Sequence, residues 1–516
     1  MKKVKVLIIH NIISPHVTPV FKELAKKVEL QVWFCAKNES NRSWTTKPKG
    51  YSYKVLKSKS WEFRGQDLFS FFYNPDLLIK LKKIKPDLVI ISGWDLPTYW
   101  LTAIYCTYRK IPFLLWSGST IYEKSWRRTL GWPITKLIIN FASGYLAYGL
   151  RARDYLINLG AEPEKITIAY NSVALKPYLK PKKANLKLAA SLKQEFKLTG
   201  KTVILFYGQL IARKRPDLLL QAFKELQQNN KQLALIMIGS GQLKNSLVEY
   251  LEKNQIENVY LLDDPSDEVM PAYYQLADLL VLPSNEEVWG LVINQAMASG
   301  LPVLTAHQVG CVPDLIVSGI TGETFQTDSL TDLSTQINKL TNSKQLLIKM
   351  GQAAQKHILK TSPQIAAQQI YLAIKKILKP KTENANRLEI ILPTIIDDCK
   401  LSFAQSEQIP FAIKRIYYIY NSSANFPRGF HAHLTNHQMI ICLQGSFRLK
   451  LDDGTNRQDI WLTQPNQAVE IKPLVWHEMH ELSTDAILLV IASHQYDPND
   501  YLRSYEEFLK AVNYEH

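Results

Sequence analysis

Long apolar runs, paired cysteines and compact basic blocks are all missing from this chain of 516 residues. No window holds the roughly 18 uninterrupted apolar residues of a membrane-spanning helix, and the first apolar run, residues 6–9, is too short for a signal peptide. The five cysteines lie far apart without a CxxC motif, which favours a reduced, cytoplasmic protein over a disulfide framework or a zinc ribbon. No basic block interleaves with aromatic residues, so we expect no nucleic-acid partner.

Charge divides the chain into two parts. The net charge is +16, but the residues from Asn384 onward carry 11 Lys and Arg against 16 Asp and Glu, which leaves +21 for the first 383 residues. Seven of the eleven histidines also lie in that acidic tail. A basic first part favours an anionic partner such as a phosphorylated substrate or an anionic membrane. Residues 122–136, with two tryptophans among Arg and Lys, fit either a membrane-interfacial patch or a solvated basic helix.

Short apolar runs alternate with helical patterns along the first part. The predicted strands are 6–10, 30–35, 87–92, 113–117, 145–148 and 165–170, followed by 203–208, 234–239, 259–263, 279–284 and 302–306. Runs that are apolar at consecutive positions are typical of parallel strands buried on both faces. The pattern therefore predicts two doubly wound α/β domains, residues 1–178 and 195–378, with a break within 176–201.

Glycine and polar residues follow the strands of the second series. They are Gly208, Arg213, Lys214, Gly239, Glu287, Gly290, Leu291 and Gln295. A glycine, a basic loop and then a helix form an anion site, and the helix that starts at Gly290 presents amides to a diphosphate. Because ligands of such sheets bind beyond the carboxyl ends of the strands, these residues are the candidate ligand site.

These residues resemble the retaining glycosyltransferases of family 4, which have the GT-B fold. The matching positions are Gly208, Lys214, Pro283-Ser284, Glu287, Ala296-Met297-Ala298, Gly300 and Pro302-Val303. The resemblance spans residues 1–378 and implies a nucleotide-diphosphate sugar donor, retention of configuration and no metal. It also implies that Lys214 neutralises the diphosphate, that Glu287 contacts the donor sugar and that residue 295 contacts the ribose.

Two positions depart from that family's pattern. Gln209 stands where an Arg is usual and Gln295 where a second Glu is usual, and Arg213 is a candidate replacement for the missing cation. The acceptor should meet the first half, where His16 and Trp116 are the candidate lining residues. For His16, a structural role in the loop is an equal alternative.

Period-2 patterning replaces the α/β pattern after residue 412. The predicted strands are 413–420, 437–443, 446–454, 468–473 and 486–493, and residues 500–512 are predicted to form a helix. Short strands separated by turns predict a β-sandwich or small barrel over residues 388–516, after a linker at 379–387. His431 and His433 lie two apart on an extended segment and share one face. With His437 and His477 they suit either a cupin metal site or metal-free acid–base chemistry, which we favour.

The tail resembles the cupin-type sugar 3,4-ketoisomerases that act on dTDP-4-keto-6-deoxyglucose. The matching positions are Arg415, Tyr417, Tyr418, Arg428-Gly429, His431-Ala432-His433, Gln438, Gly445-Ser446, Leu451 to Gly454 and Trp476-His477-Glu478. That reaction moves a proton between neighbouring carbons, for which histidine is suited. We expect His433 as the base, His431 as its relay partner and Tyr418 as a third residue of the catalytic site, where it lines the sugar or stacks on the thymine. The family's usual Lys is Leu434 here, and further departures fall at Asp398-Cys399 and Gln405.

Binding roles follow for the remaining residues of the tail. The candidate sugar-nucleotide contacts are Arg415, Arg428, Gln438, Arg448, Trp476 and His477, of which Arg428 and Arg448 suit a diphosphate. Trp476 suits the sugar or the thymine ring. No metal or other cofactor is expected in either part.

Both parts together predict a bifunctional, cytoplasmic enzyme of cell-surface polysaccharide assembly. One part isomerises dTDP-4-keto-6-deoxyglucose, and the other transfers a hexosyl group from a nucleotide-diphosphate sugar to a glycan or lipid-linked acceptor. The basic part would lie at the anionic inner face of the membrane, and the cupin would form a homodimer. The alternative is a transferase with an inactive cupin used for sugar-nucleotide binding, dimerisation or metal sensing.

Overall fold

The computed structural model describes residues 3–39, 47–64, 68–123, 126–378, 389–392, 394–396, 400–402, 404, 408–421 and 427–514. The chain divides into two units, Met1–Lys379 and Pro380–His516. The predicted linker 379–387 and the departures at Asp398-Cys399 and Gln405 lie outside the described residues. In the described part of the chain, no helix has the length and apolar character needed to cross a membrane.

A parallel sheet of seven strands forms the first half of the first unit. The strands are β1 Lys5–His10, β2 Glu29–Phe34, β3 Ser52–Val55, β4 Lys59–Arg64, β5 Leu68–Tyr73, β6 Leu88–Ile91, β7 Phe113–Ser117, β8 Gly144–Ala147 and β9 Ile166–Ile168. The sheet order is β3-β2-β1-β6-β7-β8-β9, while β4 and β5 form a separate antiparallel pair. All six predicted strands of this half are present, and β1, β6 and β7 are buried on both faces where their sequence is continuously apolar.

Five helices connect these strands and cover the two faces of the sheet. They are α1 Thr18–Leu24, α2 Leu77–Ile84, α3 Pro97–Tyr108, α4 Trp126–Phe141 and α5 Leu150–Asn158. One core lies on each face: Leu7 and Ile9 of β1 point into one, whereas Val6 and Ile8 point into the other.

The second half is a parallel sheet of six strands with the order β12-β11-β10-β13-β14-β15. Its strands are β10 Thr202–Tyr207, β11 Leu233–Ile238, β12 Val259–Leu262, β13 Leu279–Leu282, β14 Val303–Ala306 and β15 Gly322–Phe325. Its helices are α6 Lys176–Leu179, α7 Lys183–Glu195, α8 Pro216–Asn229, α9 Lys244–Lys253, α10 Met270–Leu276, α11 Leu291–Ala298, α12 Val312–Leu315, α13 Leu330–Thr341 and α14 Lys344–His357. The order reverses between β10 and β13, which is the point where doubly wound sheets bind ligands.

Two segments depart from the predicted domain ranges. The last helix of the unit, α15 Pro363–Leu378, packs on the first half, because Ala366, Ile370 and Ile374 share a core with Phe21 of α1. The predicted break at 176–201 contains α6 and α7, so it is helical.

The second unit consists of two antiparallel sheets of five strands, with the orders β16-β24-β21-β26-β19 and β23-β22-β25-β20-β27, and a separate antiparallel pair, β17-β18. The strands are β16 Glu389–Ile391, β17 Thr394–Ile396, β18 Lys400–Ser402, β19 Arg415–Ile419, β20 Arg428–His433, β21 Gln438–Gln444, β22 Phe447–Asp452, β23 Arg457–Leu462, β24 Gln467–Ile471, β25 Trp476–His480, β26 Ile487–Ala492 and β27 Tyr501–Leu502. Between the sheets lies an apolar core that includes Ile440, Leu449 and Leu488. The predicted α/β plus all-β fold is confirmed.

The end of this unit differs from its prediction. The helix expected at 500–512 is α16 Tyr505–Tyr514. Residues 501 and 502 of the predicted range are extended instead, because Tyr501–Leu502 pairs with Ala432 and His433 of β20. Because of this pairing, residues 500–502 run alongside β20, the strand that contains His431 and His433.

Candidate functional site

The predicted donor residues of the first unit follow β10, β11 and β13, which are neighbours in the sheet. Gly208 and Gly239 directly follow β10 and β11, and the two segments approach closely there. A Cβ on Gly239 would lie 1.9 Å from the carbonyl oxygen of Gly208. Only glycine therefore fits at position 239, and the loop after β10 is held beside the end of β11.

Lys214 and Glu287 form an ion pair that joins the loops after β10 and β13. Both side chains are largely buried, with 14% and 12% of their surface exposed. The neighbouring Arg213 donates from Nη1 to the carbonyl oxygen of Glu286 at 3.4 Å. The structure thus brings the predicted diphosphate-binding lysine and the predicted sugar-binding glutamate into direct contact at the topological switch point.

The helix α11 follows the same loop. Gly290 caps it in the left-handed region, with φ 95°, which leaves the amide of Leu291 at the amino end of the helix. Gln295 lies one turn further and is buried, and its Oε1 accepts a hydrogen bond of 2.8 Å from Tyr274. Gln295 therefore faces a buried tyrosine, whereas Lys214 and Glu287 face one another.

The two predicted acceptor residues lie in the first half in different environments. Trp116, in β7, is buried, and its ring lies between those of Phe21 and Tyr148. His16 lies in the turn between β1 and α1, where its backbone N–H donates to Oγ of Ser14. The indole of Trp116 is thus part of the core of this half.

A histidine–aspartate pair lies inside the second unit. His433 is 2% exposed, and its Nδ1 lies 2.7 Å from Oδ2 of Asp500. The other carboxylate oxygen accepts hydrogen bonds from the backbone N and Oγ1 of Thr435 at 2.7 and 2.8 Å. With its oxygens held in this way, Asp500 accepts from Nδ1–H of His433 and leaves Nε2 as the basic nitrogen.

Two more histidines adjoin His433. The ring of His431 lies 5.0 Å from that of His433 and 4.3 Å from that of His477. Nδ1 of His431 is 3.0 Å from the carbonyl oxygen of Gly429, so it donates there and leaves Nε2 free of a proton. Within the described ranges, no group of three or more His, Cys, Asp or Glu side chains has the geometry of a metal site.

Polar groups from the opposite sheet complete this histidine cluster. The amide Nε2 of Gln438 lies 3.0 Å from Nε2 of His433 and donates to Oη of Tyr417 at 3.2 Å. The guanidinium of Arg415 lies over the rings of Tyr417 and Tyr496, and its buried Nε has no hydrogen-bond partner in the described structure. A cation, an amide and a phenol therefore face the three imidazoles.

Burial sets the protonation of this cluster. It lowers the pKa of His433 to about 4, although the hydrogen bond that His433 donates to Asp500 acts to raise that pKa. It also lowers the pKa of His431 and His477. Although burial raises the pKa of Asp500, hydrogen bonds from Thr435 and His433 hold it below its usual range. At neutral pH the cluster therefore has neutral imidazoles and an ionised carboxylate, and burial raises the pKa of Tyr417 to about 12.

Three predicted site residues of this unit lie away from the histidines. Tyr418 is 64% exposed, because β19 alternates and places Tyr417 inward. Trp476 lies on the outer face of β25, where it packs against Tyr505 and Phe508 of α16. Arg448 forms ion pairs with Asp459 and Glu481 on the outer face of β22. These three side chains therefore lie outside the histidine cluster, and their predicted contacts with the substrate stay predictions.

The other predicted residues divide between the interior of the second unit and its surface. Arg415, His431, His433, Gln438 and His477 come together in the interior, whereas Arg428 is exposed at the start of β20. His437, which the sequence left open as a metal ligand, lies outside the cluster. Its Nδ1 is 3.6 Å from Oε1 of Glu470.

Sequence reasoning missed Asp500 and Tyr501. The ring of Tyr501 lies 4.3 Å from that of His433. Asp500 and Tyr501 both lie in the segment that runs alongside β20. The sequence shows only a turn-like run of Asp, Pro and Asn before them. An acidic residue beside a strand-like dipeptide late in the chain was the one available signal.

Two families match the chain. Residues 387–513 match the family described as FdtA: WxcM-like, C-terminal. Residues 189–357 match the family described as Glycosyl transferases group 1. Both resemblances stated from the sequence are confirmed.

Individual proteins agree with this division. The TDP-4-oxo-6-deoxy-alpha-D-glucose-3,4-oxoisomerase of Aneurinibacillus thermoaerophilus is 45% identical over 112 residues, which are 22% of this chain and 81% of that protein. The D-inositol 3-phosphate glycosyltransferase of Corynebacterium aurimucosum is 32% identical over 176 residues, 33% of this chain but only 41% of that protein. Crystalline HepE from Anabaena, in complex with UDP, covers 72% of this chain and 100% of its own at 18% identity and a TM-score of 0.58, which shows a shared fold.

Proposed function

The chain belongs to the FdtA (WxcM-like, C-terminal) family through its second unit and carries a group 1 glycosyltransferase domain in its first, and we propose that the two units catalyse separate reactions on sugar nucleotides. The second unit isomerises a TDP-linked 4-keto-6-deoxyglucose to its 3-keto isomer. The first transfers a hexosyl group, with retention, from a nucleotide-diphosphate sugar to a glycan or lipid-linked acceptor. A purely structural cupin is not favoured, because the identity to the oxoisomerase is 45%.

The His433–Asp500 pair is the observation that carries the isomerase proposal. Nε2 of His433 takes the proton from C3 of the sugar, and the C3–H electron pair forms the C3–C4 double bond. The C4 oxygen takes up a proton by way of His431, which gives an enediol. His433, neutral again, then takes the proton of the C3 hydroxyl and returns it to C4, which leaves the ketone at C3. A neutral, oriented imidazole suits the first step.

Arg415 is the proposed contact for the diphosphate of this substrate. Its buried Nε has no hydrogen-bond partner in the described structure, and a buried N–H donor without an acceptor is costly unless a ligand supplies one. Gln438 and Tyr417 would then hold the sugar hydroxyls, since both are buried polar groups beside His433.

Proton NMR in D2O tests this activity on the full chain. With TDP-4-keto-6-deoxyglucose, the wild type should introduce deuterium into the sugar ring and form a 3-keto product, and His433→Asn should do neither. His494→Asn, at an exposed histidine, is the control and should behave as the wild type. Absence of exchange from a folded wild type would sink the isomerase proposal.

The Lys214–Glu287 pair carries the transferase proposal. Within the pair each side chain neutralises the other; with donor, Lys214 turns to the diphosphate and Glu287 to the sugar hydroxyls. A lysine beside the departing diphosphate stabilises its negative charge. Calorimetric titration with UDP as the probe should give a Kd weakened by about tenfold or more in Lys214→Ala, about 1.4 kcal/mol, while Lys231→Ala, in the turn before β11, should keep wild-type affinity. Equal affinities in all three would contradict this role.

Membrane association is a further part of the proposal. On α4, Trp132, Leu137 and Phe141 are each about half exposed, and Lys136 lies over the ring of Trp132. Apolar side chains next to basic ones suit the surface of an anionic bilayer. The chain should float with phosphatidylglycerol vesicles at low salt and be released at high salt; equal binding to phosphatidylcholine vesicles would contradict the proposal.

Dimerisation of the second unit is proposed from its edge strand. β19 is the last strand of its sheet, and Ile416, Tyr418 and Tyr420 are each more than half exposed. Exposed apolar edge strands invite pairing with another chain. Sedimentation should show a dimer for the wild type and a monomer for Ile416→Glu; a monomeric wild type would refute it.

A pathway completes the proposal. A 3-keto sugar nucleotide is the substrate that a transaminase needs to place an amino group at C3, and a transferase then installs the finished sugar. We place both reactions in the cytoplasmic assembly of a cell-surface polysaccharide.

A further inference from the structure

The amino end of α5, in the first half of the transferase unit, is closed by a carboxylate from the second half. The backbone N of Leu150 donates to Oδ2 of Asp314 at 3.0 Å and to Oδ1 at 3.3 Å. The residue at the cap position, Gly149, has no side chain with which to satisfy that N–H. Asp314 is only 4% exposed, so its charge lies against the positive end of the helix.

Asp314 also belongs to the segment that supports the loop of Glu287. The backbone N of Gly310 donates to the carbonyl oxygen of Glu287 at 2.9 Å, and that of Cys311 to the carbonyl oxygen of Trp289 at 3.2 Å. A Cβ on Gly310 would lie 1.9 Å from the carbonyl oxygen of Val288. The two segments therefore touch backbone to backbone, and such packed contacts transmit a displacement rather than absorb it.

Gly149 is the point where both segments meet the first half. A Cβ there would lie 2.4 Å from the ring of Trp289 and 2.5 Å from Oδ2 of Asp314. The φ of Gly149 is 177°, an extended value that any residue adopts. The requirement for glycine is therefore steric, and it comes from the loop that carries Glu287.

We propose that Asp314 is a positioning residue that sets where the loop 287–290 lies relative to the first half, by capping α5 across the two halves. Gly149 leaves the space that this contact needs. The inference rests on the proposed transferase function, because it is the donor contact Glu287 that becomes positioned. The amide of Asn294 supports the same contact from α11: it accepts from Nε1 of Trp289 at 2.9 Å and donates to the carbonyl oxygen of Asn171 at 3.3 Å.

Hydrogen exchange of the full chain at pH 7.5 tests the contact without any need for activity. Burial raises the pKa of Asp314 only to about 6, so the carboxylate is ionised there. Asp314→Ala should speed exchange in two separate peptides, 148–156 and 286–294. Asp314→Asn should retain the protection of both, since its amide oxygen still accepts from Leu150. Asp154→Ala removes an exposed carboxylate of the same helix and should leave peptide 286–294 unchanged.

Faster exchange confined to peptide 148–156 in Asp314→Ala would reduce Asp314 to an ordinary helix cap and overturn the proposal. UDP provides the second arm. Because coupling between two sites is reciprocal, UDP should protect both peptides in the wild type and only 286–294 in Asp314→Ala. Protection of 286–294 alone in the wild type would also overturn it. If UDP protects neither peptide, the donor assignment with UDP fails, and the variants alone then decide the positioning role.

Gly149→Ala is the independent variant. It should weaken UDP binding about tenfold while hydrogen exchange of residues 203–207 in β10 stays at the wild-type rate, which shows that the first unit is folded. Wild-type UDP affinity in Gly149→Ala would contradict the proposal.

Discussion

Asp500 accepts a hydrogen bond from His433, with its Oδ2 2.7 Å from Nδ1 of the imidazole. The two residues are 67 positions apart, and the contact is made because Tyr501 pairs with His433 across β27 and β20. Thr435 occupies the other carboxylate oxygen with two donated hydrogen bonds. The carboxylate is therefore fixed in orientation and fixes the tautomer of the histidine.

The first prediction concerns Asp500→Asn. Because Thr435 donates two hydrogen bonds, the single oxygen of the asparagine should turn to Thr435, and its NH2 group should face Nδ1 of His433. The proton of His433 would then move to Nε2, which removes the base. We expect kcat of the isomerase to fall by about 10² to 10⁴ with little change in KM, as for other pairs in which the tautomer is wrong.

Steady-state kinetics on the TDP-linked 4-keto sugar measure that change. Asp497→Asn is the matched control, since Asp497 caps the turn before Asp500 through Asn499 and does not contact the histidine. An Asp500→Asn enzyme with more than a tenth of the wild-type kcat would show that the carboxylate does not control His433.

The second prediction is that acid destabilises the second unit. The pKa of His433 is about 4 in the folded unit and about 6.5 in an unfolded chain, so between these values the unfolded state binds more protons. Stability from this group is therefore complete above pH 6.5 and is lost as the pH falls towards 4, by at most about 3 kcal/mol. His431 and His477 act in the same direction because burial also lowers their pKa.

Urea titrations at pH 7.5, 6 and 5 measure this effect, with hydrogen exchange of residues 438–444 as the reporter of the second unit. His433→Asn should flatten the dependence of the unfolding free energy on pH but not abolish it. A wild-type unit of equal stability at pH 7.5 and 5 would contradict the neutral, buried imidazoles.

The third prediction separates two adjacent tyrosines. Tyr417→Phe removes the hydroxyl that accepts from the Gln438 amide and leaves a buried N–H without that partner, which costs about 1–3 kcal/mol. We expect kcat/KM of the isomerase to fall about tenfold or more. Tyr418→Phe, on the exposed face of the same strand, should remain within about twofold of the wild type. The reverse order of effects would mean that the exposed face of β19 carries the substrate.

The fourth prediction concerns Gly239. Gly239→Ala places a methyl group 1.9 Å from the carbonyl oxygen of Gly208 at a φ of 154°. Gly160→Ala is the matched control, because its φ of 101° is also unfavourable but nothing lies within 4 Å of the added Cβ. Backbone strain costs about 1–3 kcal/mol in both, and overlap adds about 1–3 kcal/mol in Gly239→Ala alone. Equal denaturation midpoints of the two variants would rule out the close approach of the strands.

Local patterns were sufficient for most strands of both units. Continuous apolar runs such as 203–208 and 234–239 became β10 and β11, since only a strand covered on both faces buries such a run. Strands with polar outer faces, such as β23, were missed because their sequence alternates weakly. The glycosyltransferase and ketoisomerase motifs were also readable, because their residues are close together in the sequence.

The sequence did not show which side chains of a strand point inward, or which residues far apart in the chain make contact. In β19 the sequence RIYYI has large side chains at successive positions, so its alternation does not show which tyrosine points inward. A shift of one residue exchanges the two faces, and only pairing with β26 sets the register. The sequence therefore did not show on which face of β19 Tyr418 lies.

The sequence by itself determined that two unlike units are joined, which one is α/β and which is all-β, and which histidines could act on a sugar nucleotide. Those properties depend on residue type and short-range spacing. Only the tertiary structure decided that Asp500 orients His433, that Lys214 meets Glu287, and that Asp314 closes α5. Each of these contacts joins residues at least 67 positions apart, and chain packing brings such residues together without leaving a local periodicity in the sequence.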